Sequence, residues 1–76
     1  MQTYRISVVN AEFNASEEHQ LESLDAARKE GIKAALAIGV DEVKAGKPFF
    51  GAEVRVQQDG DTVSRAMVSV GSSPLQ

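Results

Sequence analysis

Residues 23–47 read SLDAARKEGIKAALAIGVDEVKAGK, and the fold turns on how this stretch is understood. At 100° per residue, Leu24, Ala27, Gly31, Ile32, Ala35, Leu36, Ile38, Gly39 and Val43 share one broad face. Lys29, Glu30, Lys33, Asp41 and Lys44 fall opposite, while Arg28 and Glu42 lie near the apolar centre at its two ends and are expected to lean outward along their stems. The period is helical, and so is the punctuation. Ser23 can accept hydrogen bonds from the free amides of a first turn, and Asp25 sits where the helix dipole favours a carboxylate. Leu21 and Ala27 are placed for a staple-like contact across that start. Gly46 is the natural C-terminal stop, Lys44 and Lys47 complement the negative dipole end, and Pro48 forbids continuation.

Gly31, Ala35 and Gly39 recur every four residues on the apolar face. Each interior glycine costs a helix roughly 1 kcal/mol against alanine, which close approach of a neighbouring layer would explain. The expected neighbour is a sheet, because a helix buries its stripe against another layer; a helix-to-helix dimer seam is the rival.

On both sides of the helix the period changes from 3.6 to 2. In Thr3–Val9, Tyr4, Ile6 and Val8 point one way and Thr3, Arg5 and Ser7 the other, with Val9 out of step. Asn10 and Ala11 read as a turn, on the ground that Asn tolerates a left-handed backbone. A short strand is expected over 12–15 around Phe13, with the polar, aperiodic SEEHQ (16–20) as a loop. Beyond Gly51, Ala52, Val54 and Val56 alternate with Glu53, Arg55 and Gln57, and Asp59-Gly60 is a strong hairpin-turn signal. The return strand, 62–70, places Ala66, Val68 and Val70 on one face and Val63 and Met67 on the other. Residues 72–76 read as a frayed tail beyond a single domain of residues 1–71. The expectation is an α+β fold in chain order β-β-α-β-β, one long helix on a three- or four-stranded antiparallel sheet. Its core should hold Tyr4, Ile6, Val8, Leu24, Ala27, Ile32, Ala35, Leu36, Val43, Val54, Val56, Val68 and Val70.

Composition narrows the function classes. Seventy-six residues with no cysteine make a small core without disulfide support, which points to tight packing or a partner subunit. Eight basic against eleven acidic side chains, net −3, disfavour nucleic-acid and anionic-membrane partners. The longest apolar run, 34–40, is too short to span a bilayer, and the N-terminus lacks a signal-peptide layout, so a cytoplasmic protein is expected.

No cofactor, metal or catalytic set stands out. His19, the only histidine, would need an orienting carboxylate and a nucleophile or substrate within reach to act as a base. Its neighbours Glu17, Glu18 and Glu22 read as solvated. Glu12, Glu17, Glu18, Glu22 and Asp25 match no calcium-loop spacing, and Asp59-Gly60-Asp61 is explained by turn geometry. Gly46 and Gly51 around Lys47 lack the Gly-Lys-Ser/Thr of a phosphate loop. Phe49 and Phe50 are adjacent in an extended segment, so they cannot both face one core: one is expected under the helix end and the other exposed or covered by a partner. Together with Val9, Val63 and Met67 on the second sheet face, they form the expected interaction surface.

An aromatic-led first strand (4–8), an acidic run ending in Leu21, the helix start LDAAR (24–28) and a closing hairpin split by Asp-Gly (54–70) together resemble a family of very short bacterial proteins of unknown function, common in alpha-proteobacteria. The likeness covers nearly the whole chain. Where that family usually opens the acidic loop with Asp and closes it with Gly, this chain has Ser16 and His19. The family brings no assigned chemistry. The strand-strand-helix layout is also similar to antitoxin subunits of small bacterial toxin–antitoxin pairs, which would imply an inhibitor gripping a basic protein partner. The leading expectation is a non-enzymatic interaction module that self-associates as a homodimer.

Overall fold

A computed structural model describes all 76 residues. The helix, α1, spans Leu24–Lys44, and both its ends are closed by the residues that the sequence offers for the purpose. Ser23 Oγ accepts from the Ala26 amide at 3.1 Å. At the other end Ala45 is the C-cap and Gly46 takes φ +112°. The Gly46 amide then donates to the Val43 carbonyl and the Lys47 amide to the Glu42 carbonyl, which is a Schellman closure. No helix is long and apolar enough to cross a membrane.

Four strands surround it in sequence: β1 (Gln2–Val9) and β2 (Asn14–Leu21) before the helix, β3 (Phe49–Gln58) and β4 (Asp61–Gly71) after it. They form one antiparallel sheet in the order β2-β1-β3-β4, with α1 on one face, so the expected α+β architecture holds with four strands. The β3–β4 turn has both central residues at positive φ, Asp59 at 53° and Gly60 at 85°, the two-residue geometry whose twist suits a hairpin. Pairing steps from Val56↔Ser64 to Gln57↔Thr62, so Val63 is left without a partner, a β-bulge near the turn. Residues 72–76 carry no regular structure and are exposed.

Two expectations before the helix are corrected. β2 runs from Asn14 to Leu21 and pairs with β1 along its whole length, so SEEHQ is strand and the expected short strand over 12–15 is misplaced. The segment shows no alternation because the helix barely reaches over it. Backbone hydrogen bonds to β1 hold it, and its side chains are free to be polar on both faces. The turn before it also works differently from the expectation. Asn10 keeps an ordinary backbone; its side-chain oxygen instead accepts from the amides of Glu12 at 2.8 Å and Phe13 at 3.1 Å, an Asx-type closure.

The buried core lies between α1 and the central strands. It comprises Tyr4, Ile6, Val8, Ala27, Ala35, Phe50, Ala52, Val54, Val56 and Val68. Leu24, Val43 and Val70 pack at its margin, partly buried. Ile32 and Leu36, expected inside, remain 37% and 41% exposed. The reason is the small-residue stripe. The helix residues that become buried are Ala27, Gly31, Ala35 and Gly39, and a Cβ placed on Gly31 would collide with Val54 Cγ1 and come within 3.0 Å of Ile6 Cγ2. A Cβ on Gly39 would lie 2.7 Å from a Phe50 ring carbon and 2.8 Å from Val70 Cγ2. With its backbone this close to the sheet, the helix has no room beneath it for larger side chains, and its flanking residues stand to the side.

Gly31→Ala and Gly39→Ala should each destabilise the protein by about 1–2 kcal/mol in urea denaturation, because overpacking of about 1–3 kcal/mol outweighs the helix-propensity gain of at most about 1 kcal/mol.

Candidate functional site

The register places Ala15, Glu17, His19 and Leu21 of β2 opposite Val8, Ile6, Tyr4 and Gln2 of β1, hence on the helix side of the sheet. Because α1 lies over the other three strands, a groove of about 310 Å³ opens between β2 and the helix, lined by Ile6, Val8, Glu17, His19, Ala34 and Ile38 among others. His19 Nε2 lies 3.4 Å from Glu17 Oε2, and the Glu17 side chain is 80% exposed. An orienting carboxylate is thus present, but it is solvated, and the groove that the pair lines is open. Nowhere do three or more His, Asp or Glu side chains converge as a metal site requires.

The opposite sheet face is a polar lattice. Arg55 and Arg65 face each other across β3 and β4, a like-charge pair that would repel unaided. Glu53 resolves the conflict. Its Oε2 accepts from Arg55 Nε at 3.0 Å and from Arg65 Nε at 2.8 Å, and its Oε1 accepts from Arg65 Nη2 at 3.1 Å. Hydrogen bonds first from Arg65 and then from Arg55 hold the Glu53 carboxyl down at about 2. On the next strands Ser7 and Ser16 share a hydrogen bond at 2.6 Å, and Arg5 stands 3.8 Å from Glu18. Lys47, at the helix exit, donates to Glu12 at 3.0 Å and Glu42 at 3.1 Å, so it ties the β1–β2 turn to the end of α1; those two carboxylates raise its pKa.

Of the five residues expected to form one interaction surface, Phe49, Val9 and Met67 share the outer sheet face, and Phe50 does not. Phe50 is a correction: it is 2% exposed, its ring pressed against Gly39 and stacked with Phe13 at a centroid distance of 6.5 Å, because strand alternation turns it under the helix. Phe49 points the other way, 62% exposed, with its ring edge over Gly51. Val9 is partly buried and shares a cross-strand row with Glu53 and Met67. Met67 is 70% exposed, and Val63 lies at the bulge.

The larger uncovered apolar surface was not foreseen as such. Ile32, Leu36 and Val40 follow one another at helical spacing and are all exposed. Ile32 stands over Ser64 and Ala66 of β4 in a groove of about 240 Å³ that also includes Arg28. The row therefore runs along the β4 side of the helix, above a sheet edge. Its signal in the sequence was the width of the apolar helix face, which exceeds what one sheet contact covers. No protein-family model, curated protein or solved structure matches the chain.

The depressed Glu53 carboxyl links stability to pH. Its folded pKa lies below the unfolded value, so its contribution is complete above about pH 5 and is lost as pH falls from there toward 2. The urea midpoint of Glu53→Gln should therefore lie below that of the native protein at pH 7, and the two should converge as pH is lowered through that window.

Proposed function

We propose that this protein is a small non-enzymatic interaction module that acts as a homodimer. One observation carries the reading: a row of three large aliphatic side chains, Ile32, Leu36 and Val40, stands 37–44% exposed along one flank of the helix. Isolated exposed aliphatics are ordinary, but a contiguous row beside a sheet edge is the kind of patch that marks a binding surface. The thin core supports it. Only 13 of 76 residues are buried, so the monomer is short of apolar burial, and a second copy would supply more. The non-enzymatic part rests on the one histidine–carboxylate pair, which is open to solvent, and on Ser16, the one hydroxyl at that groove, being hydrogen-bonded to Ser7. The family likeness assigns no chemistry that would change this reading.

Light scattering should give a mass of twice the chain at micromolar concentration. Leu36→Glu should shift it to the monomer with the far-UV circular dichroism of a folded protein, since the position is exposed in the single chain. A strict monomer at several hundred micromolar would refute the proposal.

A further inference from the structure

The sheet has two edges, and they are unlike. β2 carries Glu17, Glu18, His19 and Gln20 in succession, the charged character that guards an edge against pairing. β4 is eleven residues long, contains no proline, and beyond its bulge has one charge, Arg65, already held by Glu53. Alternate backbone N–H and C=O groups along such an edge point away from the sheet and lack a strand partner. The exposed row Ile32-Leu36-Val40 lies on the same flank.

Resting on the self-association reading above, we infer that two copies join edge to edge along β4, antiparallel about a two-fold axis at Met67, and form one continuous eight-stranded sheet. The regular part of β4 runs from Ser64 to Val70, between the bulge at Val63 and the strand end at Gly71, and Met67 is its midpoint. Pairing centred there sets Ala66 against Val68 and Ser64 against Val70 of the second copy, small against large on the helix face. It sets Arg65 against Ser69, so the two copies of Arg65 never oppose each other. Facing residues share a sheet face, so an axis through Met67 keeps both helices on one side with their exposed rows turned toward each other. The arrangement is isologous, as a two-fold dimer requires.

The tilt of the helix makes this flank self-complementary in shape. Gly31 lies against Val54 of β3 and Ile6 of β1, whereas Gly39 lies against Phe50 of β3 and Val70 of β4. The helix therefore crosses toward β4 along its length, filling the space above Val70 and leaving the groove above Ser64 and Ala66, at whose end Arg28 Nε donates to Ser64 Oγ at 3.0 Å. The two-fold carries the filled end of each copy onto the groove of the other. Seven strand residues at about 3.4 Å each and a helix-plus-strand height of about 20 Å give a flank on the order of 500 Å² in projection. Corrugation raises the accessible area toward the roughly 600 Å² per partner at which specific dimers begin. Met67, exposed in the single chain, meets its own copy on the outer sheet face.

The chain has no cysteine, so introduced thiols report the register directly. Residues facing each other across an antiparallel pair have Cα atoms about 4.5–5.5 Å apart, within disulfide range. Two copies of residue 69 would be about 14 Å apart, four residues out of register. Under mild oxidation Met67→Cys should form a reducible covalent dimer at least tenfold faster than Ser69→Cys, both being exposed positions that leave the fold intact. A native dimer by light scattering in which Ser69→Cys cross-links as fast, or neither variant cross-links, overturns the β4 geometry and leaves self-association standing. A native monomer overturns both.

Discussion

The closeness of the helix to the sheet governs the rest of this structure. A helix that presents Ala27, Gly31, Ala35 and Gly39 to its neighbour allows the side chains of Val54, Ile6, Phe50 and Val70 to reach its backbone. Dispersion contacts at that distance are dense, and they replace the interdigitation of large side chains that a more ordinary helix would use. Two glycines that weaken the helix in isolation are thereby explained by what they let the sheet do. The large core residues come from the strands, and the helix contributes mainly a flat surface.

That arrangement decides what is left outside. With the small residues underneath, Ile32, Leu36 and Val40 stand on the flank, and the tilt of the helix uncovers the first half of β4 while covering the second. At the far edge β2 lies almost beyond the reach of the helix and is held chiefly by its ladder to β1. The result is an asymmetric two-layer domain: a charged β2 edge turned to water, and a sparsely charged β4 edge beside the exposed row Ile32-Leu36-Val40, with Arg28 hydrogen-bonded to Ser64 at one end. The self-association proposed above would use the second, beside a core in which few residues are fully buried.

The outer face shows how a sheet layer without a covering helix keeps its register. Arginines opposed at 55 and 65 are made compatible by Glu53, and the Ser7–Ser16 hydrogen bond ties β1 to β2. These contacts specify the pairing, and Glu53, its side chain only 18% exposed, also contributes to stability. Lys47 does the same between elements, because its two carboxylate partners come from the β1–β2 turn and the last turn of the helix.

Local chemistry was legible from the residues alone. The helix from Ser23 to Gly46, its cap and its stop, the β3–β4 hairpin about Asp59-Gly60, and the inward faces of β1 and β3 all follow from period and from turn geometry, which act within a few residues. Three features were settled only by tertiary structure. β2 is a strand because β1 offers it a ladder, and a polar edge strand carries no alternation to betray it. Ile32 and Leu36 share an apolar helix face with Ala35, yet only Ala35 is buried, because the width of that face is read from the sequence whereas the distance to the sheet is not. Phe49 and Phe50 are indistinguishable in composition, and the phase of β3 relative to the helix sends one to solvent and the other under Gly39. In each case the deciding quantity is a separation between segments distant along the chain, which no local pattern encodes.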